Sequence, residues 1–301
     1  MFYLFLLFHF VFLLFWLRFW SAPEREFYFN PFVSGTINLT DRVILFLRPV
    51  LAIPEAMTAL VILIVVVLLQ TLLAARLQFP LGVTLGTTFH FTPPAVSDNP
   101  LLPLPFTLLQ NALFLVRLWT VYLLVRLITP PFRVTRATEA LAFFARPFSR
   151  IPLLFQPFLL LALHGLIALA LTRTTELRIL TRLTETPAAT DVSPFLTGPL
   201  LLQLLKTGWL AVLSFSDGLI FMTRSLFVLI IGSLGAAIIQ SRGLAVLCSE
   251  AVDLLLGRFA RRGTGAMGFD FTPLIYFFVV DFLYNGICRG LYMLIHSPLF
   301  N

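Results

Sequence analysis

Six long apolar runs cross this chain, separated by polar segments. They cover about Phe2–Trp20, Met57–Ala75, Phe106–Ile128, Leu153–Leu171, Gly218–Gln240 and Pro273–Leu294. Each comes close to the ~20 residues a helix needs to cross the hydrocarbon core. Within them the apolar residues are continuous, as in VILIVVVLL, without the alternation of a barrel strand. A backbone in lipid must satisfy its own polar groups, so the runs predict helices. Pro157 falls early enough in the fourth run to be tolerated. The stretch Phe79–Pro105, which contains TPPAVSDNP, reads as a loop, and Thr172–Pro194 as a polar separator. Leu200–Gln240 is too long for one span and has SFSDG, Ser214–Gly218, at its centre. It reads as a single span, Gly218–Gln240, with an amphipathic lead-in; two tight helices are the alternative.

The polar segments after the first, third and fifth runs resemble one another. They read TDRVILFLRPVLAIP from Thr40, TEALAFFARPFSRIP from Thr138, and SEAVDLLLGRFARRG from Ser249. Each opens on a hydroxyl residue and an acid, a pair suited to a helix N-terminus. An apolar face at helical spacing follows, then arginine. This is the pattern of an amphipathic helix lying in the interface with its guanidinium groups at headgroup depth. In the first two segments proline then prevents the helix from continuing and turns the chain into the next span. The predicted fold class is therefore all-α: a polytopic helical membrane protein of about six transmembrane helices in repeated span–amphipathic helix–span units. The units are residues 1–78, 106–172 and 218–301, joined by a loop at 79–105 and a polar, amphipathic connection at 173–217. Arg48, Arg146, Arg150, Arg258, Arg261 and Arg262 form the expected surface for anionic headgroups or for a membrane-protein partner, a second copy of the chain included.

Composition supports the membrane setting. Mean hydropathy is +0.95, and charged residues make up only 12% of the 301, too few to cover a soluble surface. The net charge of +7 comes almost wholly from arginine, Lys206 being the one lysine. Nucleic acid is not the expected partner, because no basic stripe carries stacking aromatics in a polar context. The arginines concentrate after odd-numbered spans, which puts those loops in the cytoplasm of a bacterial inner membrane and both termini outside it. The apolar N-terminus reads as a retained span: it lacks the basic start and cleavage site of a signal peptide. Cys248, Cys288 and four scattered histidines lack metal-ligand spacing, so no metal is expected. LGVTLGTT is not followed by the GK[ST] of a phosphate loop, and no nucleophile elbow appears, so neither cofactor nor enzymatic activity is expected.

Polar residues inside spans are costly and carry a functional reading by default. Asp281, Asn285 and Arg289 recur at steps of four on one helical face. They form either an ion or proton relay or an interhelical contact. Asp217 and Arg224, seven apart, share a face in the fifth span; Arg117 and Arg126 in the third are partners for either Asp217 or Asp281.

The last unit resembles the YggT family of small membrane proteins, which includes the YlmG group. There a short acidic helix leads to an arginine-rich turn, and a Gly-x-Asp-x-Ser/Thr-Pro phrase opens the last span. Here that phrase is Gly268, Asp270, Thr272 and Pro273 in GFDFTP. The first unit resembles the family in LRFW and in Asn30-Pro31-Phe32, but has IPEAM where the phrase would stand. The resemblance covers about residues 10–75 and 218–292, leaving the middle unit as an addition to the family's usual two. It implies a non-enzymatic role in membrane organisation, assembly or stress. An ion transporter or channel component using the intramembrane Asp and Arg residues is the other expectation.

Overall fold

The structure, a computed structural model of the chain, describes residues 2–20, 31–76, 82–86, 89–92, 101, 103–129, 136–174, 176–179, 199–238, 240, 242–256 and 272–295. In chain order the elements are α1 (Phe2–Trp20), α2 (Pro31–Leu51), α3 (Glu55–Arg76), β1 (Val83–Leu85), β2 (Phe89–Thr92), α4 (Leu104–Ile128), α5 (Arg136–Phe144), a 3-10 turn (Phe148–Arg150), α6 (Gln156–Thr174), β3 (Glu176–Ile179), α7 (Leu200–Ile238), α8 (Arg242–Leu256) and α9 (Thr272–Ile295). Among the described residues, four helical segments are long and apolar enough to cross a membrane: Glu55–Arg76, Leu104–Ile128, Gln156–Arg173 and Leu201–Ala236. That is the architecture of a helical membrane protein. Phe158 on α6, Val228 on α7 and Phe282 on α9 are 70%, 65% and 78% exposed, an outward apolar face whose natural solvent is lipid.

Pairing follows chain order. α1 packs on α3, α4 on α6 and α7 on α9, while α5 touches both α2 and α8. α7 is the spine, in contact with α4, α6, α8, α9 and β1. It is one continuous helix of 39 residues, not a span with a separate lead-in, and SFSDG lies inside it. The stretch is helical throughout because nothing in Leu200–Ile238 breaks it: it contains no proline, buried Ser214 and Asp217 find partners on neighbouring elements, and Ser216 and Thr223 bond carbonyls of their own helix.

The expected Phe79–Pro105 loop contains β1 and β2, and the polar separator contains β3; together they form an antiparallel sheet in the order β1-β2-β3. The fold is thus mainly, not wholly, α. The strands arise from a period of two: Val83, Leu85, Phe89 and Phe91 are all buried, in one core with Leu113, Val116, Leu210 and Leu213.

The capping expectation also changes. α2 begins at Pro31, where a missing N–H costs nothing, and buries a stripe of Val33, Thr36, Ile37, Thr40 and Ile44. Thr40 therefore lies mid-helix, its hydroxyl donating to the Thr36 and Ile37 carbonyls at 3.0 and 2.9 Å. Ser249 and Glu250 are likewise inside α8, which starts at Arg242. The two proline phrases turn the chain by different means. After Arg48, α2 ends on Ala52 at φ 51°, whose N–H donates to the Arg48 carbonyl at 2.9 Å. After Arg146 comes the 3-10 turn, with Phe148 stacked on Trp119 of α4 at 5.6 Å.

Candidate functional site

Five elements bring polar groups to one place in the bundle. Arg117 and Thr120 lie near the midpoint of α4, His164 of α6, Asp217 of α7 and Tyr284 of α9, and β1 reaches them from the side. Each helix presents these residues on a face that is otherwise apolar and buried, so they must satisfy one another.

Asp217 is the centre. Its Oδ1 accepts from the Gly86 N–H at 2.9 Å and from the Tyr284 hydroxyl at 2.8 Å; its Oδ2 accepts from Arg117 Nη2. The same Arg117 nitrogen donates to the Thr84 carbonyl at 2.7 Å. The Arg117–Asp217 pair thus holds β1 and the turn that follows it, a cation at the Thr84 carbonyl and a carboxylate at the Gly86 N–H. A buried ion pair holds only where such extra hydrogen bonds complete it. Two glycines permit the approach. Gly86 sits at φ +64°, and a Cβ there would lie 2.8 Å from the Leu213 side chain; a Cβ on Gly218 would lie 2.5 Å from Thr120 Cγ2.

A second chain crosses the neighbouring turn. Thr120 Oγ1 lies 3.0 Å from His164 Nε2, and His164 Nδ1 lies 2.8 Å from Ser214 Oγ. Thr120 has one hydroxyl proton, and it goes to the Val116 carbonyl at 2.9 Å. Thr120 can therefore only accept from the ring, which puts a proton on Nε2, while Nδ1 shares a hydrogen bond with the Ser214 hydroxyl. Ser214 and His164 have the spacing of a nucleophile and its base. Both are sealed, at 1% and 0% exposure, and the other ring nitrogen faces a threonine where a catalytic dyad would orient its base with a carboxylate. This contact joins α4, α6 and α7.

Among the intramembrane residues singled out from sequence, Asp217 and Arg117 belong to this cluster, paired with each other. Arg224 is exposed, so the seven-residue spacing from Asp217 does not bring it to the same surroundings. Arg126 instead donates to Tyr122 at 3.2 Å. On α9 the buried face is Tyr276, Val280, Tyr284 and Cys288, one position round from the expected stripe. Asp281 is half-buried and takes a 2.9 Å hydrogen bond from Asn285 on its own helix, while Arg289 is exposed. His164, Thr120, Ser214 and Tyr284 were not singled out; the tell in the sequence is one polar residue midway along each of several apolar helices.

Among the arginines expected at a headgroup surface, Arg48 and Arg150 are exposed, Arg48 lying 3.6 Å from Glu55. Arg146 is not at a surface. It is 6% exposed, its guanidinium lies 5.5 Å from the Phe143 ring centre, and its carbonyl accepts from Trp16 Nε1 at 3.2 Å. Of the first family motif, Pro31 and Phe32 open α2; Asn30 lies outside the described residues. Thr272 and Pro273 open α9; Gly268, Asp270, Arg258, Arg261 and Arg262 also lie outside the described residues. A further ion-pair cluster went unanticipated: buried Arg18, at the end of α1, meets Asp41 of α2 at 2.7 Å and Glu55 of α3 at 3.0 Å.

Comparison of the chain with protein-family models, with curated proteins and with solved structures gives no match.

Proposed function

We propose that this chain is a non-enzymatic, multi-pass membrane protein of the YggT type, which organises the surrounding membrane through a layer of basic amphipathic helices on the cytoplasmic face of a bacterial inner membrane. The observation that carries the reading is the contact of α5 with both α2 and α8. The three amphipathic helices follow the ends of α1, α4 and α7 in the same way, and they lie side by side. This arrangement supports three internal span–surface helix–span units. α2 supplies the chemistry of an interfacial helix: Leu39, Leu45 and Phe46 are exposed beside exposed Arg42 and Arg48. Arg150, at the end of the 3-10 turn, adds to the exposed basic residues. The Asp217 cluster, saturated with donors, serves this reading as the clasp of the bundle.

The test is lipid preference in nanodiscs. Quenching of tryptophan fluorescence by brominated phosphatidylglycerol is compared with quenching by brominated phosphatidylcholine. Each arginine near anionic headgroups contributes about 1 kcal/mol, roughly fivefold in local preference. Arg42→Ser with Arg48→Ser and Arg150→Ser should erase most of the preference for the anionic lipid, and Arg258→Ser with Arg261→Ser and Arg262→Ser should do the same. Preference unchanged in both sets would falsify the reading.

A further inference from the structure

We infer that the part of α7 beyond the bilayer is a docking seam for a second copy of this chain, which joins it in parallel. The first ground is depth. Asp217 lies level with the midpoints of α4 and α9, through its bonds to Arg117 and Tyr284. A hydrocarbon core of about 30 Å takes up ~20 residues of an upright helix and ~26 of one tilted by about 40°, the steep end of the usual range. Centred on Asp217, even the longer stretch ends near Ile230, so the end of the 39-residue α7 stands outside the hydrocarbon. It stays apolar where lipid no longer covers it. Phe227, at the boundary, and Ile231, Leu234 and Ile238, beyond it, are 58%, 52%, 62% and 82% exposed. They recur at steps of four, three and four. That is the spacing of a coiled-coil seam, with isoleucine at both a positions and leucine at a d position, the choice that favours two parallel strands.

The second ground is what fits the seam. Two copies inserted in the same orientation are related by a two-fold axis along the membrane normal, so residues meet at equal depth. The four seam side chains leave on the order of 500 Å² uncovered, so two copies face to face hide roughly 1,000 Å², the size a specific interface needs. Two heptads are few for a free coiled coil, but the bilayer already holds both helices upright, which lowers the entropy lost on pairing. Charge marks the same partner. α8 runs back along α7, and a Cβ on Gly232 would lie 3.4 Å from Cys248 Sγ. From that register, at about 1.5 Å per residue, Asp253 comes level with Phe227, one turn from Arg224. Arg224 and Asp253 are both exposed, and neither has an ion-pair partner among the described residues. Across a two-fold axis, Arg224 of each copy meets Asp253 of the other at the membrane end of the seam.

The test is made on the full chain in liposomes. With Cys248→Ser and Cys288→Ala removing the two native thiols, one new cysteine is introduced at a time: Ile231→Cys, Leu234→Cys or, as a control on the lipid-facing side of α9, Phe282→Cys. Oxidation should give disulfide-linked dimers at both seam positions, with a yield that holds over a tenfold dilution in lipid, while the Phe282→Cys yield falls with dilution. Dimer fraction is then followed by energy transfer between labelled copies. Ile231→Glu with Leu234→Glu should raise the dissociation constant at least tenfold; both side chains are exposed, so thermal unfolding should stay near that of the parent. Asp253→Arg should weaken the dimer, and adding Arg224→Asp should restore it. The seam is overturned if its cross-links dilute away like those at Phe282, if the two glutamates leave the dimer fraction unchanged, or if the charge exchange restores nothing. Protein that is monomeric at every dilution also overturns it, and means that lipid or a different protein covers the seam.

Discussion

Asp217 and Arg117 show what one buried charge demands of its neighbours. Truncating one member of such a pair leaves the other uncompensated, at a cost of about 3–5 kcal/mol. Asp217→Ala and Arg117→Ala should each show a loss of that size in unfolding titrations in mixed micelles, and the double variant should lose clearly less than the sum of the two. Tyr284→Phe removes a single donor and should cost about 1–2 kcal/mol. At Gly218 the constraint is steric. Gly218→Ala forces a methyl to within 2.5 Å of Thr120 Cγ2, which predicts a loss of about 1–3 kcal/mol. Thr120→Ser removes that methyl and keeps the hydroxyl that accepts from His164. It should restore part of the loss in a double-mutant cycle; strict additivity would show that the contact is not the cause.

Elements were legible to different degrees, for identifiable reasons. Spans could be read because a run of about 20 apolar residues has one stable form in lipid. Helix ends were less legible: Thr40 resembles a cap, yet α2 starts at Pro31, because tertiary burial of Val33 and Ile37 rewards the earlier start. The strands could have been found, since VTL and FHFT alternate on either side of Gly86; their shortness made the Gly- and Pro-bearing context dominate. Ion pairing joins α2 to its neighbours. Arg18→Met would leave Asp41 and Glu55 without their shared cation, so hydrogen exchange across Pro31–Leu51 should accelerate while the core of α4 stays protected. Uniform acceleration in both helices would mean that Arg18 supports the whole bundle and does not anchor α2 in particular.

For the molecule as a whole, α7 sets a problem of length. Its 39 residues span about 58 Å, against a hydrocarbon core of about 30 Å. Asp217 is level with the midpoints of α4 and α9, so the far end of α7 extends well past them, with α8 folded back along it. Position should then decide the cost of a new charge. Phe282 and Ile238 are both outward-facing, at 78% and 82% exposure. Phe282→Arg, near the middle of α9, should cost about 2.5–3.5 kcal/mol in membrane insertion; Ile238→Arg, beyond the core, should cost little. A glycosylation-based insertion assay separates the two, and equal penalties would place Ile238 inside the hydrocarbon.

Hydrophobic length, proline position and arginine distribution are local properties, and the bilayer acts on each segment separately. The four long apolar helices, Glu55–Arg76, Leu104–Ile128, Gln156–Arg173 and Leu201–Ala236, therefore follow from the residues in order. Which acid is buried does not. Asp217 and Asp281 each lie within an apolar run, and a turn of helix treats them alike. What separates them is rotation against the neighbours: α9 turns Tyr284 inward and leaves Asp281 to Asn285, while α4 and β1 deliver a cation and an N–H to Asp217. Those partners come from residues up to 131 positions away, and their convergence depends on packing that no local pattern encodes.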